Sequence, residues 1–349
     1  MVIVGIDAHK RTHTVVVIDE AGRQLGQMTT TATTTEEHLG LLRWAERFGA
    51  ERSWAVEDCR HLSRRLEADL LGAGERIVRV PPKLMAHARD AARTYGKSDP
   101  IDALAVARAA LREPDLPVAR LEGPARELRL LVDHREDLLA ERTRHLNRLR
   151  WHLHELDPTW DPRARSLRSP ANLAAVADRL GSFEGMVARI AVDLVTRIAE
   201  LTDEVRALER EIVARAEVLA PSLLAVPGAA GLTAAKIVAE VADVRRFRSK
   251  DAFARHNGTA PLPVWSANHP RHRLARTGNR QLNAALHRIA VTQARCHPEA
   301  IVYLERRLAA GSTRTEARRS LKRRLSDVVY RALVADVAST AEPAIAAAA

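Results

Sequence analysis

Apolar residues fall along this chain in two regimes. Up to about residue 115 they come mostly as short β-branched runs, and the stretches 2–7, 14–19, 24–31, 53–57 and 77–80 read as five strands. The polar segment Ala8-His9-Lys10-Arg11-Thr12-His13 is a tight turn between the first two. Between the later runs the spacing becomes helical. Residues 35–48 form a helix with Thr35 as N-cap and apolar Leu39, Leu42 and Trp44. Residues 62–71 form another, ended by Gly72 and Gly74, and helices follow near 83–93 and 99–112. Beyond Pro114 and Pro117 the strand pattern disappears. Leu128, Leu131, Val132, Leu138, Leu139, Leu146, Leu149 and Leu153 recur at steps of three and four, and so do Val187, Ile190, Leu194, Ile198, Leu201, Val205, Leu208 and Ile212. These two stretches predict long amphipathic helices joined by a loop that contains Pro and Ser. They form either an antiparallel hairpin or coiled coil, with a seam available for dimers, or a plain helical bundle.

The order βββαβαβα is that of a ribonuclease-H-like, or RuvC-like, domain, in which the first and fourth strands are neighbours. The expected architecture is α/β followed by all-α. Residues 1–115 form the RuvC-like domain and 120–219 the helical hairpin or coiled-coil region. Residues 220–335 form a mainly helical C-terminal domain, and 336–349 a low-complexity, disordered tail.

Four acids stand out against this pattern. Asp7 ends the first strand and Glu57 the fourth. Asp99 and Asp102, three apart, share a face at the start of a helix. A lone Asp after a strand is usually a turn residue, and Asp-x-x-Asp at a helix start is often a cap. Together, on this strand order, they form a pocket of about four negative charges that calls for hard cations. A pair of Mg²⁺ ions is the usual device for attack at a phosphodiester. Lys10 and Lys97, beside the acids, are candidates to hold phosphate or are solvated charges.

Composition narrows the partner. The net charge of +11 favours a polyanion. Forty-nine of the 55 basic residues are Arg, a bias that a GC-rich genome also produces. Two cysteines exclude a disulfide framework and a Cys-based zinc site. No signal-peptide pattern and no run of about 18 apolar residues is present, so a cytoplasmic, nucleoid-associated protein without membrane contact is expected. Aromatics at 3% argue against a stacking platform for single strands.

The last unit carries three further motifs. Val226-Pro227-Gly228-Ala229-Ala230-Gly231 resembles a helix-hairpin-helix turn, which grips phosphate through backbone N–H groups, or is a purely structural turn. Ser266 lies in the Gly- and Pro-rich stretch 258–268, followed by Arg271, Arg273, Arg276 and Arg280. A serine there is either a nucleophile with arginines stabilising developing charge, or a turn residue. His256, His269, His272 and His287 are candidate acids or bases. Lys322 and Arg323 sit on a basic helix face, a nucleic-acid footprint or a solvated surface.

The motifs Gly5-Ile6-Asp7, Val56-Glu57, Gly96-Lys97-Ser98-Asp99-Pro100-Ile101-Asp102-Ala103, His134-Arg135-Glu136-Asp137-Leu138, Val226-Pro227-Gly228, Asn257-Gly258-Thr259-Ala260-Pro261 and Gly278-Asn279-Arg280-Gln281-Leu282-Asn283 occur in an order that resembles the insertion-sequence transposases of the one-ten type, over nearly the whole chain. The resemblance implies a DEDD recombinase in which Asp7, Glu57, Asp99 and Asp102 bind Mg²⁺, two ions per site, and Ser266 forms a covalent phosphoserine link to DNA. It also implies partners: double-stranded DNA at the element ends and target, a structured guide RNA, and further copies of the chain in a dimer or tetramer. The chain departs from the family pattern at two places. Ala267 follows Ser266 where Gly is usual, and Glu57 is followed by Asp58-Cys59-Arg60 where Ala-Thr-Gly is commoner. Two rivals stay open on the residues themselves. One is a RuvC-like nuclease or junction resolvase that uses water, and the other a non-enzymatic nucleic-acid-binding protein.

Overall fold

A computed structural model describes residues 1–57, 60–81, 84, 98–113, 116–120, 123–266, 269–274 and 278–346; at 60–61, 263–266, 269–274 and 340–346 the description is of the backbone. The helix expected near 83–93 and the residues Lys97, Ala267 and Arg276 lie outside these. The chain divides into two compact units, Met1–Leu121 and Glu122–Ala349.

Unit 1 is built on a five-stranded sheet. Strands β1 (Val2–Ala8), β2 (His13–Ile18), β3 (Gln24–Thr29), β4 (Arg52–Glu57) and β5 (Ile77–Val80) take the order β3-β2-β1-β4-β5. The first three pair antiparallel, and β4 and β5 run parallel to β1. This is the ribonuclease-H-like arrangement, with β1 beside β4 as expected. β1 and β2 are buried along their full length, which is why their residues read as continuous β-branched runs instead of an alternation. β3, at the edge, is largely exposed and less apolar. Helices α1 (Thr35–Ala45) and α2 (Arg60–Gly72) cover one face, where Val4, Ile6, Val15, Val17, Leu41, Trp54, Leu66 and Leu70 form the core. Helix α3 (Asp99–Arg112) covers the other, against Ile3, Val16, Ile18 and Ala55. The N-cap of α1 is Thr34, one residue before the position expected: its hydroxyl accepts from the Glu37 backbone N–H.

Unit 2 is helical. Helices α4 (Gly123–Leu156) and α6 (Met186–Leu219), 34 residues each, pack antiparallel, because Leu138 meets Leu201 and Val205 while Leu146, Leu149 and Leu153 meet Leu194, Val195 and Ile198. Arg135–Glu209 and Arg197–Glu141 ion pairs flank the seam. The connection between them is not all loop. A helix α5 (Pro170–Leu180) packs on the hairpin tip through Leu173, Val176 and Leu180. At the other end, Leu128, Val132, Ile212 and Ala216 enter the same core as α7 (Pro221–Leu224), α8 (Gly231–Val241), α9 (Lys250–His256), α10 (Arg280–Cys296), α11 (Pro298–Ala309) and α12 (Arg314–Ala346). The hairpin and the C-terminal residues therefore share one core across the boundary expected at 219/220. The tail expected from 336 is corrected. Helix α12 runs to Ala346, and buried Asp336 accepts hydrogen bonds from the backbone N–H groups of Ser222 and Leu223.

Two histidines are fully enclosed in unit 1. His13 of β2 and His38 of α1 face each other with ring centroids 5.2 Å apart, and His38 Nδ1 lies 2.6 Å from Asp69 Oδ2. Burial, reinforced by the neighbouring His38 and His9, pushes His13 down to about 4. Neutral His13 is favoured in the fold, while an unfolded chain takes up the proton near 6.5. Stability associated with this group is therefore complete above about pH 6.5 and is lost as pH falls toward 4. The difference corresponds to on the order of 3 kcal/mol. Urea melts of His13→Leu between pH 4 and 7 are expected to show a shallower acid loss than wild type; parallel curves would refute this origin.

Candidate active site

Asp7 lies near the end of β1 on the face covered by α3, and it is buried. Glu57 stands one step beyond the paired residues Ile6 and Val56, so it occupies the position beside Asp7 on the same side of the sheet, half-buried. Asp99 and buried Asp102 come from the first turn of α3, which Pro100 opens and where the positive end of the helix dipole favours carboxylates. What seats that turn over Asp7 is Gly5. A Cβ at Gly5 would stand 2.3 Å from the Ala103 carbonyl oxygen and 2.6 Å from Ala107 Cβ, so α3 touches the strand backbone.

The structure adds a residue that the sequence reading treated only as part of a turn. His9 Nε2 lies 3.0 Å from Asp7 Oδ2 and 3.5 Å from Asp99 Oδ1. One ligand atom from each of Asp7, His9 and Asp99 falls within 4.8 Å of the others. Burial raises the Asp7 carboxyl; His9 lowers it in turn, and the negative charges of Asp102 and Asp99 raise it further. The donor set is mostly hard oxygen, the chemistry that suits Mg²⁺, with one imidazole better matched to holding a carboxylate than to ligating that ion. The only sequence clue to His9 was its place two residues beyond Asp7.

In unit 2, β6 (Pro261–Ser266) and β7 (His269–Leu274) form an antiparallel hairpin with Ser266 at its tip, opposite His269. The register pairs Val264 with Arg271 and Leu262 with Arg273, so positions 266, 269, 271 and 273 share one face of the ribbon. The base of the hairpin is pinched shut. A Cβ at Gly278 would lie 2.3 Å from the Gly258 backbone nitrogen. Buried Asn257 donates to Ser326 Oγ, Asn283 donates to the Asn257 carbonyl, and Asn279 N–H donates to the His256 carbonyl. The motifs around 257 and 278 thus hold the two ends of the serine ribbon together.

The basic candidates separate. Lys10 and Arg280 are exposed, Lys10 two residues beyond Ala8 and Arg280 at the start of α10. Arg323 is engaged by Asp251 and Asp327. Lys322 is a correction: it is buried, and its ammonium donates to Asn283 Oδ1 at 2.8 Å, so it braces the ribbon base and does not belong to an exposed footprint. The Pro-Gly turn lies between α7, which has only four residues, and α8, and Gln293 donates to the Pro227 carbonyl.

A ribonuclease-H-like sheet with clustered acids is the arrangement of a candidate carboxylate metal site. Comparison with known proteins narrows the class. Residues 4–158 match the DEDD model of the IS110 group, described as a transposase, and residues 220–305 match the transposase IS116/IS110/IS902 family. Together these models span more than half of the chain, and the protein belongs to the IS110-type transposases, enzymes that cleave and rejoin DNA. It is 29% identical to the uncharacterized 44.8 kDa protein of insertion element IS116 from Streptomyces clavuligerus, with 94% of this chain and 93% of that protein covered. It is 28% identical to the uncharacterized 42 kDa protein of IS900 from Mycobacterium paratuberculosis, over 93% of this chain and 94% of that one. A solved RuvC from T. thermophilus, in complex with a Holliday junction substrate, aligns at 18% identity and a TM-score of 0.28, covering 34% of this chain and 99% of that one. Among the described residues no helix is long and apolar enough to cross a membrane.

The close approach at Gly5 has a measurable consequence. Gly5→Ala drives a methyl group into the backbone of α3 and is expected to cost about 1–3 kcal/mol in urea melts. Gly40→Ala, mid-helix in α1 with its nearest neighbour 3.7 Å away at the end of Arg43, is the control and is expected to be neutral or stabilising. Equal behaviour of the two variants would remove Gly5 as the seat of the carboxylate cluster.

Proposed function

We propose that this transposase excises and inserts its own element by serine attack assisted by Mg²⁺, at sites chosen by a guide RNA made from the element. The observation that carries the reading is the convergence of Asp7, Asp99 and Asp102 beside Glu57 on a ribonuclease-H-like sheet. Asp7, Glu57, Asp99 and Asp102 are the residues to hold Mg²⁺, which supplies charge neutralisation at a phosphodiester. His9 orients Asp7 through the 3.0 Å contact. Lys10, exposed two residues beyond Ala8, is the side chain to meet a phosphate.

Ser266 is the nucleophile. Its hydroxyl oxygen forms a bond to phosphorus, the bond from phosphorus to a deoxyribose oxygen breaks, and that oxygen leaves with a proton. The register opposite Ser266 supports His269 as the group that takes the serine proton and hands it to the leaving oxygen. Arg271 and Arg273, on the same face, suit the charge that develops on the phosphoryl oxygens. Rejoining runs the same steps in reverse on a new strand end. A homo-oligomer brings carboxylates of one subunit to the serine of another, and delegation of sequence choice to RNA accounts for the lack of a base-reading motif. The second reading, a nuclease using water, requires the carboxylates but not Ser266.

The test places the gene in its native flanking DNA and amplifies across the circular excision junction. Wild type is expected to give the junction and a covalent protein–DNA adduct. Asp102→Ala is expected to give neither, and Ser266→Ala to lose both while still binding DNA. A junction made by Ser266→Ala would sink the serine assignment and favour the water-using nuclease.

A further inference from the structure

The basic excess of this chain is concentrated near its C-terminus: residues 251–349 hold 16 Lys and Arg against 7 Asp and Glu, more than half of the net +11. Within that stretch the helical turn from α11 into α12, together with Thr259–Pro261 at the start of the serine ribbon, encloses a cavity of about 660 Å³. This is within the range of small-ligand sites. Its walls carry Tyr303, Arg307, Arg319, Arg323 and Arg324, with Glu316 the one acid.

These groups are not equivalent. Arg323 is held by Asp251 and Asp327 and forms a fixed wall. Glu316 is occupied as the helix cap, accepting from the Thr313 backbone N–H and hydroxyl at 2.8 Å, and Arg307 and Arg319 are close enough to lower its carboxyl further. Arg307 Nε is buried yet makes no hydrogen bond. Among the described residues no salt bridge holds Arg307, Arg319 or Arg324. The Arg324 guanidinium lies 4.3 Å over the Tyr303 ring, which makes a flat π-type wall.

We propose that this cavity receives one unpaired nucleotide of a bound nucleic acid, with its phosphate on Arg307 and Arg319 and its base against the Tyr303–Arg324 wall. The inference rests on the reading of the chain as a nucleic-acid enzyme and adds a site to it. Guanidinium forks match phosphate bidentately, and stacking on aromatic and guanidinium planes is how splayed bases are held. Pro261 borders the cavity and is the first residue of the strand whose last is Ser266, about 17 Å further on at 3.3 Å per residue. The captured nucleotide therefore lies only a few nucleotides from the strand presented to the serine. Holding it there would keep that strand from sliding.

The test uses the full chain carrying Ser266→Ala, without Mg²⁺, so that binding is read apart from chemistry. Duplexes with a single-nucleotide bulge, deoxy or ribo, are compared with the fully paired duplex, and the bulged position carries a photo-crosslinking base. A bulged base is already unpaired and avoids the cost of extrusion. The bulged duplex is expected to bind about tenfold more tightly than the paired one and to cross-link to Tyr303. Tyr303→Ala should erase that preference, Arg307→Ala should erase it and also weaken binding of the paired duplex, and Tyr303→Phe should keep it. Preference for a ribo bulge would make RNA the source; preference for a deoxy bulge, or equal preference, would make DNA a source. Equal affinity for bulged and paired duplexes, or a preference that survives Tyr303→Ala, would overturn the proposal whatever happens in the excision assay. Conversely, a serine assignment lost in that assay leaves this binding measurement standing.

Discussion

The demanding interaction in this protein is the mutual repulsion of carboxylates gathered at the end of β1. Asp7 and Asp102 are both buried, and Asp99 sits within reach of both Asp7 and His9. Like charges in a low-dielectric setting drive the elements that carry them apart unless something stiff holds them. That stiffness comes from apolar packing. β1 and β2 are covered on both faces, and at Gly5 helix α3 approaches until Ala103 and Ala107 touch the strand. Any side chain at residue 5, or a larger one at 103 or 107, would lift the helix and its two acids together. His9 takes up part of the strain by contacting two of the carboxylates at once.

The serine ribbon of unit 2 faces the opposite problem, since nothing intrinsic holds it. A two-stranded hairpin is marginal by itself, and this one contains three prolines, at 261, 263 and 270. Its order is imposed at the base, where Gly278 meets Gly258 backbone to backbone and Asn257, Asn283, Lys322 and Ser326 are joined through buried hydrogen bonds. Buried polar networks of this kind hold only when every member is satisfied. Lys322 illustrates the cost accepted. Burial and neighbouring Arg319 push its ammonium down, yet it stays in the network as donor to Asn283.

Much of unit 1 was legible in the sequence because its signals are local. Continuous β-branched runs marked β1 and β2, glycines closed α2, and the βββαβαβα order put Asp7 beside Glu57. Long helices were equally plain, because 34 residues at helical spacing leave little ambiguity. What escaped depends on contacts distant in sequence. Helix α5 looked like loop because its apolar face is only three residues wide. Lys322 looked like part of a basic surface because nothing in Leu321-Lys322-Arg323 reveals that position 322 turns toward Asn283, 39 residues away. His9 passed as a turn residue, since its partnership with Asp99 requires a helix that arrives some ninety residues later. Asp336 looked like the edge of an Ala-rich tail, and only the return of α12 to α7 explains its burial.

Charge divides the chain as sharply as fold does. Residues 1–121 hold 18 basic and 17 acidic side chains, while residues 251–349 hold 16 against 7. A carboxylate centre repels a phosphodiester until cations neutralise it, so attraction of the substrate has to come from elsewhere on the molecule. The arginine-rich C-terminal stretch carries the charge suited to that task, and guanidinium groups recognise phosphate whatever the sequence attached. Affinity built this way falls steeply with salt and places no limit on target choice. Two rigid seats stand out beside this diffuse charge: the Gly5 contact that sets the first turn of α3 over Asp7, and the pinched base of the ribbon that carries Ser266.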